Sequence, residues 1–351
     1  MKKIGIVGTG KTVGIADDHL NGIQANKKEW ILEAIYDLNI ENAQEFVERN
    51  ELNQNIICST LDDLFSKVDA IAICTNNSSH REIAEYAINR SIPVICEKPL
   101  SDTYKEAEML ALKANESNIP NYMGMQYRYH GYAQVIKEIL NSKKLGEITF
   151  YRHNLGGSRL GNSNIELEWR MKKETSGLGS IADFGIHQLD LIDFFLNDIA
   201  GDISEITAQT GTYIKNRTSP AWADDGKVTN DDVGILYGKL ENGALFNLCN
   251  SRIFPSDGHC LEIIGLKAAI YMDNNHNIFI REKDKDGNWN NYREQKREED
   301  KHSFLGGARG KQYKEFYDII NNDVSYELNF KYGAEKLGLI EKAVKNFNHC
   351  I

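Results

Sequence analysis

The chain has 351 residues, too many for one ordinary hydrophobic core, so two domains are expected. Its net charge is −10, with acids and bases mixed along the chain, which excludes a nucleic-acid surface because that needs a basic stripe. The six cysteines lie far apart and form no C-x-x-C or Cys/His cluster, so they read as reduced thiols of a cytoplasmic protein, and no metal site is expected. No stretch has the make-up of a signal peptide or the length of a bilayer span, so no membrane partner is expected.

In chain order, Ile4-Gly5-Ile6-Val7 is a short buried strand. Gly8-Thr9-Gly10 follows, with Gly14 further on and a helical pattern from about Asp18 to Asn26. A strand, a glycine turn and a helix form the context of a dinucleotide fingerprint: backbone N–H groups approach a diphosphate at the helix N-terminus. The third glycine falls one position later than G-x-G-x-x-G requires, so a plain glycine turn is the alternative. The next strand, Trp30 to Tyr36, ends in Asp37. A carboxylate there is placed to accept from the adenosine ribose hydroxyls and repels a 2′-phosphate, so NAD is expected over NADP. A helix cap or turn is the competing role.

Helices are expected over Asn42–Asn50 and Leu61–Ser66, and a strand over Ala70–Cys74 that ends in the polar loop Thr75 to His80. Ser79 or His80 either caps the following helix or contacts the cofactor. A helix through Asn89 leads to the buried strand Ile92–Cys96 and then to Glu97-Lys98-Pro99. An acid and a base at a strand's carboxyl end lie where ligands bind in an open α/β sheet, and Pro99 fixes where Lys98 points. Alternating strands and helices imply parallel order with right-handed crossovers.

After a helix over Tyr104–Glu116, Tyr122–Gln126 reads as a strand running into Tyr127-Arg128-Tyr129-His130. A helix Tyr132–Asn141 and a strand Ile148–Asn154 follow. Ser180 to Asp190 reads as one helix on which Ser180, Asp183, His187 and Asp190 share an arc of roughly 100°. Asp183 and His187 stand four apart, and a carboxylate beside an imidazole orients it and raises its basicity, as a general base requires. A solvent face and a metal site are the other readings of this segment. Beyond Gly201 come strands over Ile206–Tyr213, Val233–Lys239, Leu245–Asn250, Cys260–Gly265, Ala268–Met272 and Ile278–Arg281 with few helices between them, which suggests a large, mostly antiparallel sheet. The segment Arg281 to Lys301 reads as a solvated hairpin and loop, and helices over Gly310–Asn322 and Lys331–Asn346 close the chain.

Together these parts resemble the Gfo/Idh/MocA family of NAD(P)-dependent oxidoreductases, the glucose–fructose oxidoreductase and inositol dehydrogenase type. The matching elements are Gly8-Thr9-Gly10, Asp37, Glu97-Lys98-Pro99, Tyr127-Arg128-Tyr129-His130, Trp169-Arg170 and Asp183-x-x-x-His187-x-x-Asp190, in that order. The resemblance implies an α/β fold: a Rossmann-type doubly wound parallel sheet in residues 1–123 and an α+β substrate and oligomerisation domain with an open sheet in residues 124–351. It implies NAD bound by Gly8, Thr9, Gly10, Lys11, Asp37, Thr75, Asn76, His80, Glu97, Lys98 and Gln126. It implies catalysis by Lys98, Asp183 and His187, and a substrate pocket lined by those three with Arg128, Trp169 and Arg170. For Trp169 a buried aromatic is the alternative. The activity implied is hydride transfer at a secondary hydroxyl or ketone of a sugar, sugar derivative or cyclic polyol, in a homodimer or homotetramer. The alternatives are an NAD-dependent glycoside hydrolase using transient oxidation and a non-catalytic NAD-binding regulator. Two departures stand out: the turn from Gly8 to His19 is longer than the family pattern and carries Asp17 and Asp18, and Asn76 stands where proline is common.

Overall fold

In the computed structural model, residues 1–12, 14–221, 223, 225–295, 306–322 and 324–348 are described. By compactness the chain forms two units, Met1–Tyr129 with Ser303–Leu337, and His130–His302 with Gly338–Ile351.

The first unit alternates strands and helices: β1 (Lys2–Val7), α1 (Ile15–Ala25), β2 (Trp30–Tyr36), α2 (Ile40–Arg49), α3 (Leu61–Lys67), β3 (Ala70–Ile73), α4 (Asn77–Ile88), β4 (Val94–Cys96), α5 (Tyr104–Glu116) and β5 (Asn121–Met123). The strands pair in parallel in the order β2-β1-β3-β4-β5. Parallel strands are covered on both faces, so they read as unbroken apolar runs; Ile4, Ile6, Ile71, Ile73, Val94 and Ile95 are all fully buried. Caps set the helix starts. Asn39, Thr60 and Thr103 each accept a backbone N–H of the first turn of α2, α3 and α5. The helix α1 begins at Ile15, earlier than the expected Asp18, because Gly14 takes the left-handed conformation (φ 68°) that admits the turn directly into the helix.

The strand expected over Tyr122–Gln126 stops at Met123. The Gly124 N–H is drawn to the Cys96 carbonyl (2.7 Å), and Gln126–Tyr129 coils as one tight helical turn instead.

The second unit has α6 (Gly131–Asn141), β6 (Ile148–Gly156), α7 (Lys173–Ser176), α8 (Ser180–Asp183), α9 (Gly185–Ala200), β7 (Ile203–Gly211), β8 (Val233–Leu240), β9 (Leu245–Ser251), β10 (Gly258–Gly265), β11 (Ala268–Met272), β12 (Ile278–Glu282) and β13 (Arg293–Gln295). Its eight strands form one sheet in the order β13-β12-β11-β10-β6-β9-β8-β7, antiparallel except where β6 runs parallel to β9. The strand β10 alternates buried and half-exposed residues along its length, which is the signature of a sheet packed on one face. The inward face meets α9, whose Ile186, Leu189, Ile192, Phe195 and Leu196 are buried. The hairpin β12–β13 accounts for the start of the segment Arg281 to Lys301, and residues 296–301 of it lie outside the described residues. Two helices, α10 (Gly307–Asn322) and α11 (Phe330–Asn348), close the chain.

The segment Ser180 to Asp190 is two helices, not one. The backbone breaks at Phe184, and the N–H groups of Gly179 and Ile181 turn to the carboxylate of Asp231 (2.9 and 3.0 Å). Among the described residues, no helix is long and apolar enough to cross a membrane.

Candidate active site

The first cluster lies at the carboxyl ends of β1, β2 and β3. Gly8 has φ 90°, and a Cβ on it would meet the Thr75 nitrogen at 2.8 Å, so glycine alone lets the turn approach the β3–α4 loop. The buried Thr9 donates its N–H and its hydroxyl to Asp37 Oδ2 (2.7 and 3.1 Å). Asp37 Oδ1 accepts from the Asn39 N–H (2.9 Å) and from Asn42 Nδ2 (3.1 Å). Asp37 therefore fastens the glycine turn to the end of β2. Gly10 faces open space, with nothing nearer to a built Cβ than Asn42 Nδ2 at 3.8 Å. Lys11 is exposed and pairs with Glu45 (2.7 Å).

Asp17 and Asp18, expected in a lengthened turn, lie in the first turn of α1 instead, because the helix starts at Ile15. Asp17 receives a two-pronged bond from Arg49 (2.9 and 2.9 Å) and one from Asn50 (2.7 Å), and Arg49 also bonds the Thr9 carbonyl (3.0 Å). Burial works to raise the Asp17 carboxyl, but the bonds from Arg49 and Asn50 outweigh it and hold it below the usual range. Asp18 is pushed upward, first by burial. The first turn of α1 therefore carries one acid paired with Arg49 and one whose charge is weakened by burial.

Thr75, Asn76 and His80 form a hydrogen-bonded loop after β3. Ser79 Oγ bonds Thr75 Oγ1 (2.8 Å) and Asn76 Oδ1 (2.7 Å). The buried His80 ring joins this loop to the next one, with Nδ1 2.7 Å from the Pro99 carbonyl and Nε2 3.2 Å from the Thr75 carbonyl. His80 thus braces the loop that carries Lys98; the Lys98–Pro99 peptide is cis.

Glu97 is buried, 4 % exposed, in a network of its own. Its Oε1 receives His19 Nε2 (3.0 Å) and pairs with Arg309 Nη2 (2.5 Å). Burial pushes His19 down to about 4, so the ring is neutral. A carboxylate only accepts, so Nε2 carries the proton and Nδ1 accepts from the Tyr313 hydroxyl (2.7 Å). The charge on Glu97 is therefore matched by Arg309 on α10.

Gln126 keeps a buried Oε1 that receives no hydrogen bond among the described residues. A buried acceptor without a donor is what an amide-bearing ligand would satisfy. Arg128 is buried and bonded to Glu327 (2.6 Å) and the Tyr332 hydroxyl (2.9 Å), a tie within the first unit. These bonds occupy the guanidinium that the resemblance assigned to substrate.

The second cluster surrounds α8 and α9. The Asp231 carboxylate accepts from the N–H groups of Gly179 and Ile181 and from the Ser180 hydroxyl (2.7 Å), which fixes the start of α8. A Cβ at Gly179 would lie 2.4 Å from the Asp231 carbonyl oxygen, so this approach requires glycine. Asp183, at the end of α8, accepts from Arg252 Nη2 (3.1 Å) and Nε (3.3 Å). The Arg252 Nη1 also bonds the Arg170 carbonyl (2.7 Å). His187 is buried in the first turn of α9, and Asp190 is buried one turn on. Gln188 anchors α9 to the sheet through the carbonyls of His153 (2.9 Å) and Cys249 (3.1 Å). Trp169 is half-buried beneath the Arg170 guanidinium, 4.2 Å from the ring centroid. Buried Arg217 bonds the carbonyls of Leu160, Asn162 and Ile165, and Val228 joins Leu160, Leu167 and Met171 in an apolar cluster. Trp222 lies outside the described residues. Among the described residues, no group of three or more His, Cys, Asp or Glu is arranged to hold a metal ion.

Sequence reasoning missed Asp231 and Arg309. The signal for the first is Asn230-Asp231-Asp232, three polar residues just before a buried strand that become buried themselves. The signal for the second is Gly306-Gly307-Ala308-Arg309-Gly310, in which Gly306 allows close approach to Ala25 of α1.

Residues 2–124 match the model of the oxidoreductase family with an NAD-binding Rossmann fold, and residues 133–271 match the GFO/IDH/MocA C-terminal domain. The chain is 29 % identical over 288 residues to glucose-6-phosphate 3-dehydrogenase of Bacillus subtilis, covering 80 % of this chain and 77 % of that protein. It is 26 % identical over 227 residues to levoglucosan dehydrogenase of Pseudarthrobacter phenanthrenivorans, covering 61 % and 56 %. A levoglucosan dehydrogenase structure in complex with NADH and levoglucosan shares the fold at a TM-score of 0.86 and 20 % identity, over 98 % of this chain and 97 % of that one. With both of its domains matched, the chain belongs to the Gfo/Idh/MocA family of NAD-binding oxidoreductases.

Proposed function

We propose that the protein transfers a hydride between NAD(H) and a secondary hydroxyl or ketone of a sugar, sugar derivative or cyclic polyol. The observation that carries this is the match of both family domains in a chain that has Lys98, Asp183 and His187 at the motif positions. The relatives named for glucose 6-phosphate, levoglucosan and D-apiose support a sugar as substrate.

The first unit's residues fit the dinucleotide. Gly8, Thr9 and Gly10 offer a close backbone approach at the start of α1, as diphosphate recognition needs. Lys11, Thr75, Asn76, His80 and Glu97 belong to or brace the loops around that turn. Asp37 retains acceptor capacity for ribose hydroxyls and disfavours the extra phosphate of NADP. Gln126 offers its donorless acceptor to the nicotinamide carboxamide. When bound, the nicotinamide supplies or accepts the hydride.

The remaining chemistry belongs to side chains. Removing a hydride from a secondary alcohol requires the hydroxyl proton to leave as well. In this reading His187 accepts that proton. Asp183, kept in place by Arg252, provides the negative charge that favours the imidazolium. Lys98 donates to the same oxygen and stabilises the charge that develops on it. Trp169 and Arg170 contact the substrate. We also assign the protein to the cytoplasm, and we propose a homodimer or homotetramer formed through the outward sheet face, where Phe150, Ile264, Leu245 and Tyr237 are half-buried or exposed. Sedimentation analysis should give two or four times the mass of the 39.8 kDa chain, and a monomer at working concentration would refute the assembly.

The decisive experiment follows NADH formation over a panel of aldoses, cyclic polyols and their phosphates and acids. NAD reduction by at least one member is expected. A glycoside cleaved without net NADH would replace the reading with transient oxidation, and saturable NAD binding without any turnover would replace it with a regulator.

A further inference from the structure

Four histidines with no part in the chemistry above gather in the second unit. His153 and His259 stand on the buried face of the neighbouring strands β6 and β10, with ring centroids 5.0 Å apart. His276, in the turn between β11 and β12, meets His259 edge-on at 5.0 Å. Tyr132 of α6 touches His259 and His276 at 4.9 and 4.7 Å, and stacks on His130 at 5.5 Å. His187 adjoins this group. Its neighbour Gln188 bonds the His153 carbonyl (2.9 Å), and its own ring lies within electrostatic reach of His259. His187, His153 and His259 are buried, whereas His276 and His130 are half-exposed. A row of imidazoles therefore runs from the base assigned to the reaction toward the surface.

Leucine or phenylalanine would fill such a core at lower cost, because a buried imidazole gives up water at two nitrogens. His153 keeps one of them, Nε2, without a hydrogen bond among the described residues. Burial pushes His153 down to about 3, and burial together with the surrounding histidines holds His259 well below its ordinary value. Both rings are therefore neutral near neutral pH. A neutral imidazole donates at one nitrogen and accepts at the other, so it holds no extra proton but can pass one on. The oxidation assigned above leaves a proton on His187, which is only 2 % exposed. That proton has to leave before the base can act again.

We propose that His259 and His276 relay the proton of each turnover from His187 to solvent. The N–H bond of the His187 imidazolium breaks as one forms on His259. His259 releases a proton from its other nitrogen to His276, which passes one to water or a buffer base. The electron pairs stay on the nitrogens, one proton enters and one leaves, and exchange with water restores the tautomers. In the reductive direction the same path runs inward. His130 stands one ring further off, behind Tyr132, and His153 turns to the Tyr151 hydroxyl (3.2 Å), so both lie beside the path. The inference rests on His187 as the proton acceptor of the sugar oxidoreductase reading.

Its first test needs no substrate. With isotope-labelled histidine and NADH added, NMR saturation transfer reads exchange of the His187 ring proton with water. His259→Gln and His276→Gln, each confirmed folded by circular dichroism, should slow that exchange at least about tenfold, because an amide keeps hydrogen bonds but does not relay protons. Free imidazole should restore the exchange in His276→Ala, which a packing role would not allow. The turn position of His276 keeps the test available where His259→Gln does not fold. The second readout uses whichever panel sugar reduces NAD. NADH formation and proton release, followed by a pH-indicator dye, should coincide in the native chain, and release should lag in both glutamine variants. Exchange unchanged in both variants, or no rescue by imidazole, would overturn the proposal. Exchange that depends on His259 and His276 in a chain that reduces NAD with no sugar would uphold the path and sink the reading on which it rests. NAD reduction by a sugar, with exchange and proton release indifferent to both variants, would do the reverse.

Discussion

Lys98 and Glu97 are neighbours in sequence with opposite employment. Glu97 is fully engaged with His19 and Arg309, whereas Lys98 is half-exposed on a loop braced by His80. The motif therefore combines a buried carboxylate with a half-exposed ammonium. Replacing Lys98 or His187 by alanine should lower kcat by about 10²- to 10⁴-fold, the usual contribution of a positioned proton-transfer or charge-stabilising group. NADH binding, followed by its fluorescence, should persist in both variants. Near-normal turnover in Lys98→Ala on an identified substrate would remove it from the mechanism. Position and residue type made Asp183 and His187 visible in the sequence. The partner of Asp183 was not, because Arg252 follows a strand some seventy residues later and nothing local links the two. Glu97 was likewise visible as unusual, but its environment depends on Arg309 and Tyr313 near the other end of the chain.

The elements themselves were largely legible. Trp30–Tyr36, Tyr104–Glu116 and Ala268–Met272 follow from apolar periodicity and lie where that pattern puts them. The exception is Ser180 to Asp190, whose helical pattern is real but breaks at Phe184 into two helices, the first of which is capped at its start by Asp231. This cap arrives from a distant loop, so no local signal marks it. Asp231→Ala should remove it at a cost of about 1–2 kcal/mol in stability, read by thermal unfolding. It should also lower kcat, since Asp183 ends the four-residue helix that Asp231 begins. Asp231→Asn keeps one acceptor and should recover part of both. A normal kcat in Asp231→Ala would separate the cap from the chemistry.

Across the whole molecule, several histidines are buried neutral. Burial lowers His153 to about 3, and the same cause, with Arg309 adding, lowers His19 to about 4. Their ordinary value in an unfolded chain is about 6.5, so below that pH the unfolded state binds more protons than the folded one. Stability should therefore be full above pH about 6.5 and decline on acidification, by about 1.4 kcal/mol per pH unit for each group until its folded value is reached. Chemical denaturation between pH 7 and pH 5 measures this, and His153→Phe should flatten the slope by one group's share. A midpoint independent of pH over that range would contradict the assignment. Glu97 adds to acid lability at lower pH: burial works against its charge, but Arg309 and His19 together hold it well below the usual carboxylate range.

The ion pair between Glu97 and Arg309 also has a consequence for the order in which a growing chain can mature. Residues 1–129 leave the ribosome with Glu97 and His19 already in sequence, yet Arg309 and Tyr313, which complete their bonds, are made last. Until then a carboxylate destined for the interior has no counter-charge, a condition that costs several kcal/mol in a finished protein. The second unit's strands and α9 fall within the continuous stretch His130–His302, and its own C-terminal piece, Gly338–Ile351, follows later still. A fragment of residues 1–129 should accordingly remain protease-sensitive, and a peptide spanning residues 303–337 added in trans should protect it. The head start of the unit whose synthesis begins first is thus cancelled until residues 303–337 are made.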